Sequence, residues 1–584
     1  MTQGKGNGGS LLPSNVTAWT RAPLELTRRA AEDIPLLPSQ DHITLVSLAA
    51  LTGLLAGLAA ELLRVLVRLF GVLMFSPGSL WELATDRGSP MSQRFDAEWP
   101  KVDTHFMVVG LSTALLMFAW GYYRDHRNGV PEGHRSRSHQ LGIAVGAAAL
   151  AHGVLQVLVA AADAVTPGHS GLLSVFQHTP WWGLCGVALV GGVAVGVLAH
   201  YLTDARGEGV PIVMKSVALK SGAMRTRSGP IFAGTAGLTV ASMGSVGLEG
   251  PVLVFGAASA SGLGQALGLS RDRLRVLVAA GAAAGISAGF NAPIAGALFA
   301  LEIVVGDFAL ATFSPVVIAS VVGTVVHRSI EGDFPVFAGV DFVMKSSYEI
   351  WLYIPLGLLC GAVGTLFVRS VESISSRFQR LTSGVPNFLQ PAIGLLAICL
   401  MAVALGRYEV LGSGYDTLQN LLNNRLTATV VGVILIAKIA ATSLTLASGG
   451  VGGVFFPSLM IGASAGSLFG AGAQQLLGDR IASPASYAIV GMGAVLTAVQ
   501  HAPLTAVVMV FELCNDYNII LPLLVACILS TLVATRALGM SIYQRVLKRE
   551  GIVLSRGKEQ NLLRSIKVSE AMRTEICKVQ QSTR

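Results

Sequence analysis

The sequence predicts an all-α, polytopic membrane protein with two repeated halves whose helices are broken by glycine and proline. Composition comes first. Of 584 residues, 52% are hydrophobic and 13% charged, whereas soluble domains carry about 25% charged residues. The second observation is 67 glycines, an excess suited to close helix approach in lipid. Third, a mean hydropathy of +0.62 arises from long apolar blocks rather than periodic stripes. Together these exclude disordered, coiled-coil and ordinary soluble classes. The net charge of +8 is spread over polar loops, as a positive-inside bias requires, and is not a nucleic-acid signal.

Residues 1–42 are polar and mixed in charge and read as a cytosolic arm without a cleavable signal peptide. Apolar segments follow near 43–74, 106–123, 140–166 and 181–202, each long enough to cross or nearly cross about 30 Å of hydrocarbon. Between 210 and 326 the apolar stretches shorten and are cut by Gly and Pro. A polar connector spans 327–349 and a second apolar set spans about 350–540. The expected division is therefore 1–42 cytosolic arm, 43–139 extra or displaced transmembrane hairpin, 140–326 first half, 327–349 connector, 350–545 second half and 546–584 basic tail. Arg124, Arg127, Arg135 and Arg137 in one loop, Arg206, Lys215, Lys220, Arg225 and Arg227 in another, and Arg545, Lys548 and Arg549 at the tail give an orientation. Both termini of this multi-pass protein of the cell membrane should face the cytosol.

An internal repeat organises the chain. Gly281, Asn291, Ala292, Pro293 and Glu302 align without gaps to Gly491, His501, Ala502, Pro503 and Glu512, an offset of 210 residues. Upstream, Gly247, Pro251 and Gly256 match Gly453, Pro457 and Gly462 at an offset of 206. Gly/Pro-interrupted segments at corresponding places in two halves point to a transporter's midplane site.

Three such segments read GEGVP (207–211), GLEGP (247–251) and GGVFFP (452–457). Proline is tolerated in the first helical turn, where its missing N–H has no partner anyway. Each segment should start a helix inside the membrane, with unpaired N–H groups and the positive dipole end directed inward. Converging ends of this kind bind an anion without a full positive charge that would hold it too tightly. Packing kinks account for any one segment alone, but not for repeat-related ones.

The six cysteines form no CxxC pair, so neither a disulfide framework nor a metal site is suggested. No HExxH or paired intramembrane aspartates are present, which argues against an enzyme. No cofactor is expected.

GEGVP, GLEGP and GGVFFP, in this order and spacing, resemble the signature motifs of the CLC family of chloride channels and proton-coupled chloride exchangers. FNAPIAGALFALE (290–302), HAPLTAVVMVFEL (501–513) and Ser541-Ile542-Tyr543 extend the likeness over about 140–545. The resemblance implies an antiparallel two-repeat helical fold in a lipid bilayer, a homodimer with one pore per subunit, and permeation of chloride or a similar anion. It also implies that Glu249 is a gating glutamate, which would compete with the anion and leave when protonated; the plain alternative is a helix cap. Gly209, Val210, Gly250, Val454, Phe455 and Phe456 would present backbone N–H groups, and Tyr543 a hydroxyl.

Two positions depart from the family pattern. Glu208 stands where many members carry an anion-binding serine, so an ionised side chain there would repel chloride unless turned away. Ile303 stands where exchangers carry a proton-relay glutamate, with Glu302 beside it as a structural or vestibular group. An apolar relay position favours a passive channel; a proton-coupled exchanger with a non-standard proton path is the alternative. Whether 43–74 is the family's first helix followed by an inserted hairpin, or part of an extra one, stays open. Leu562–Met572 resembles the start of a CBS domain.

Overall fold

The computed structural model describes residues 40–75, 173, 176–177, 179–201, 209–333, 335–337 and 342–554. The segments 106–123 and 140–166, Glu208, the N-terminal arm and the CBS-like stretch lie outside the described residues. Among those described, seventeen α-helices follow one another. N-terminal to residue 332 they are α1 (Gln40–Phe75), α2 (Trp181–Tyr201), α3 (Gly209–Leu219), α4 (Ser228–Ala241), α5 (Glu249–Ala266), α6 (Arg271–Phe290), α7 (Pro293–Phe299) and α8 (Leu310–Glu331). C-terminal to it they are α9 (Tyr353–Leu381), α10 (Gln390–Leu405), α11 (Tyr415–Leu422), α12 (Ala428–Ala447), α13 (Phe455–Leu477), α14 (Pro484–Gln500), α15 (Pro503–Cys514), α16 (Ile520–Leu538) and α17 (Ile542–Arg549). Among the described residues, eight helical segments are long and apolar enough to cross a membrane, and five shorter apolar helices lie among them. The chain divides by compactness into residues 1–48 and 49–584; the features below belong to the second unit.

The repeat seen in the sequence is built into the backbone. Asn291 and His501, at equivalent positions, both end a helix in the left-handed conformation (φ 53° and 56°). The following Ala292 and Ala502 share one backbone geometry (φ −129° and −131°, ψ 81° and 78°), and Pro293 and Pro503 open α7 and α15. A methyl group at Gly256 would strike the Gly281 carbonyl, and one at Gly462 the Gly491 carbonyl. The α5/α6 and α13/α14 crossings thus use the same glycine pair, because only a missing Cβ lets the backbones touch.

The halves also exchange caps. Glu302 accepts hydrogen bonds from the Thr505 N–H (2.8 Å) and Oγ1 (2.7 Å) in the first turn of α15. Its counterpart Glu512 accepts from the N–H groups of Ile294 (3.0 Å) and Ala295 (2.7 Å) in the first turn of α7. Glu512 thus pairs two of the N–H groups that a helix start leaves unpaired and Glu302 one, with the Thr505 hydroxyl besides, and each sits at the positive end of the helix it caps. This reciprocity is what a two-fold relation between halves produces.

α14 is buried along almost its whole length, in keeping with a sequence apolar on every face. Its start is tied to the approach to α9 through Glu349, which accepts from Ala482 N–H (2.7 Å), Lys345 N–H (3.0 Å) and Tyr487 Oη (2.6 Å). The polar stretch 327–349 is therefore not all connector. α8 continues through Glu331, buries His327, and stops where Gly332 turns with φ 93°. The stretch ends in the buried Glu349. Two of the scattered cysteines, Cys185 on α2 and Cys399 on α10, are free thiols in a hydrogen-bond contact of 3.8 Å between sulfurs.

Candidate functional site

The three Gly/Pro segments become helix starts of the same register. α3 opens at Gly209, α5 at Glu249 and α13 at Phe455, with Pro211, Pro251 and Pro457 as the third residue of each. All first-turn N–H groups lack intrahelical partners, so a proline there sacrifices no bond. α5 and α13 are clasped just before they start: Gly247 and Gly453 form an isolated antiparallel bridge, each N–H donating to the other's carbonyl at 2.8 Å. The bridge joins residues equivalent in the repeat.

α3 reaches the pair by close backbone approach. A Cβ on Gly209 would lie 2.7 Å from the Gly250 carbonyl oxygen, well inside van der Waals contact, so only glycine fits. Behind these starts, Val210, Val454 and Phe455 belong to one buried core. Phe455 packs against Phe290 (4.6 Å between ring centroids) and Phe299 (6.0 Å).

A small cavity lies where the three starts meet. It is lined by Gly209, Val210, Glu249, Gly250, Val454, Phe455 and Tyr543 from the residues expected in the sequence, and by Ile286, Phe299 and Gly453 besides. Glu249 is 3% exposed. Its Oε2 has no hydrogen-bond partner. Phe456, expected at the site, is not among the residues that line the cavity. Tyr543 is buried at the second position of α17. A capping box holds that helix start: Ser541 Oγ accepts from the Gln544 N–H (3.4 Å), and the Ser541 N–H donates to Gln544 Oε1 (3.3 Å).

Glu302 and Ile303 stand apart from this cavity. Both lie in a π-helical turn, Ala300–Val305, that extends α7. Ile303 is buried in the apolar core, and Glu302 is engaged with Thr505 as described above.

Two features escaped the sequence reading. Tyr415 stacks on Phe456 with 3.9 Å between centroids, carried by a turn in which Gly412 (φ 62°) and Gly414 (φ 96°) take conformations that favour glycine. Lys438, fully buried, anchors that turn by donating to the carbonyls of Val410 (3.2 Å) and Gly412 (3.0 Å). The glycine spacing in LGSGYD was a turn signal. Arg64 was the other omission. It is an ionisable residue within an apolar run, which marks a functional candidate by default.

Half-helices facing one another from two repeats, with donors and one carboxylate at a shared cavity, define a membrane transport protein of the anion-binding kind. A family model described as voltage gated chloride channel matches residues 191–535, and the chain belongs to that family. The ClcB-like chloride channel protein of Ralstonia nicotianae is 35% identical over 384 residues, 65% of this chain and 89% of the relative. The H(+)/Cl(−) exchange transporter ClcA of Cronobacter sakazakii is 31% identical over 396 residues, covering 65% and 82%. A solved slow cyanobacterial Cl−/H+ antiporter superposes with a TM-score of 0.59 at 23% identity, over 77% of this chain and 98% of its own. The last comparison shows the shared fold.

Proposed function

We propose that this multi-pass membrane protein carries chloride or a similar small anion along a route bounded by the first turns of α3, α5 and α13, with Glu249 as its gate. The observation that carries the reading is the cavity at which all three helix starts, Glu249 and Tyr543 meet. Unpaired N–H groups of Gly209, Val210, Gly250, Val454 and Phe455 supply donors and a positive potential without a fixed cation. Tyr543 adds a hydroxyl donor. The Glu249 carboxylate lines the same cavity as the helix starts, so an ionised carboxylate and an anion compete for it. A proton on Glu249 removes the charge that holds it there and frees the route. In this reading the protein works as a homodimer in the cell membrane with one route per subunit, and its termini face the cytosol.

Passive conduction is favoured by Ile303, which cannot carry a proton, and by the engagement of Glu302 with Thr505. Proton-coupled exchange is the second reading, supported by the name of the ClcA relative. Chloride efflux and proton movement recorded together in reconstituted vesicles decide between them. Chloride efflux without uphill proton movement supports the channel; a constant proton-to-chloride ratio overturns it. No anion flux under any gradient overturns the transport reading itself.

A further inference from the structure

Arg64 and Arg545 each gather helices that are far apart in the chain. Arg64 ties α1 to α6 and α8. Its Nη1 lies 2.6 Å from both Glu61 Oε1 and His327 Nδ1, and its Nη2 donates to the carbonyls of Ala288 (3.0 Å) and Gly289 (2.8 Å). Arg545 holds α17, the helix that carries Tyr543.

α17 has eight residues, and a helix shorter than about 12 is marginal on its own. Its position is therefore set by what it is tied to. Ile542, Tyr543 and Leu547 are buried, and Tyr543 reaches the cavity. Arg545 and Arg549, one turn apart, meet Glu372 on α9. Arg545 closes on that carboxylate with its fork, Nε to Oε1 (2.8 Å) and Nη2 to Oε2 (2.6 Å). Its Nη1 donates to the Leu538 carbonyl (2.9 Å) at the end of α16. Arg549 adds a contact to Glu372 at 3.2 Å. Past the last turn of α17, Glu550 pairs with Lys215 of α3 (2.6 Å).

The two ties differ in worth. The Lys215 and Glu550 side chains are 37% and 49% exposed, and an exposed ion pair contributes little. Arg545 and Glu372 are each 27% exposed, and a bidentate guanidinium–carboxylate pair fixes direction as well as distance. All three guanidinium nitrogens of Arg545 are engaged, so the group holds α17 against α9 and α16 two positions after Tyr543. We infer that Glu372 and Arg545 are positioning residues for the anion route: their bidentate pair sets where α17 places the Tyr543 hydroxyl, and through it the affinity of the route for chloride. This rests on the role of Tyr543 in the route proposed above. Neither residue lines the cavity, so both act through Tyr543.

The test is the chloride concentration that half-saturates flux, measured at one pH in vesicles holding the full-length protein. Tyr543→Phe removes the hydroxyl and should raise that concentration by about tenfold or more, the equivalent of one hydrogen bond to a charged group. Glu372→Gln leaves one acceptor oxygen in place of two, and Arg545→Lys keeps the charge but loses the fork. Each should raise half-saturation by about threefold or more while eluting as the parent does on size exclusion. In the Tyr543→Phe background the same two substitutions should change it no further, because the group they position is gone. Increases that persist undiminished in that background overturn the proposal. So does a parental value in Arg545→Lys, which would show that charge alone suffices. Should Glu372→Gln fail to fold, Arg545→Lys and its double variant with Tyr543→Phe decide alone. Parental half-saturation in Tyr543→Phe removes Tyr543 from the route and this inference with it. A raised value in Tyr543→Phe beside unmoved Glu372→Gln and Arg545→Lys removes only the positioning pair.

Discussion

Glu302→Gln separates a structural glutamate from a proton relay. In the fold, the Glu302 carboxylate takes two hydrogen bonds from Thr505, N–H at 2.8 Å and Oγ1 at 2.7 Å, at the start of α15. A hydrogen bond to a charged partner contributes about 1.5–3 kcal/mol and a neutral one about 1. The carboxylate's interaction with the helix dipole adds about 0.3–1 kcal/mol. Glutamine keeps an acceptor oxygen but loses the charge, so the variant should lose about 1–2 kcal/mol of stability. Because Glu512 caps α7 in the same manner, Glu512→Gln should cost about as much. The assay is thermal unfolding of detergent-solubilised protein, paired with chloride and proton flux from vesicles. Chloride flux per folded protein should be unchanged in Glu302→Gln. Parental stability together with loss of proton movement would refute the cap and make Glu302 a relay.

Three further substitutions probe the packing that holds the cavity together. Gly462→Ala places a methyl group against the Gly491 carbonyl and should cost about 1–3 kcal/mol in the same unfolding assay. Gly472→Ala on the same helix meets nothing within 4 Å, and should instead stabilise by up to about 1 kcal/mol. Tyr487→Phe removes the hydroxyl that donates to Glu349 at 2.6 Å; a loss of about 1.5–3 kcal/mol is expected, and an unchanged melting temperature would count against the Glu349 tie.

Much of the fold was legible because the repeat writes the same backbone demands twice. Left-handed Asn291 and His501, the prolines after them, and the touching glycines at 256/281 and 462/491 are local requirements, and local requirements leave a sequence trace. The helix starts were legible for the same reason. What escaped is tertiary. Arg64 and His327 are 263 positions apart, and no period links them. His327 and Arg328 read as polar connector, yet the end of α8 turns the histidine inward onto Glu61. Tyr415 becomes part of the site only through the ring of Phe456, a contact that neither motif records. Glu302 was recognised beside the apolar Ile303, but its partner Thr505 belongs to the other half of the chain.

The central claim is that the starts of α3, α5 and α13 form the anion route and that protonation of Glu249 opens it. Chloride efflux from vesicles containing Glu249→Gln, measured across pH beside the parent, tests it most directly. A neutral side chain that cannot titrate should give flux that is open and flat with pH. Flux that follows pH as the parent does, or that vanishes while the protein remains folded, would contradict the account.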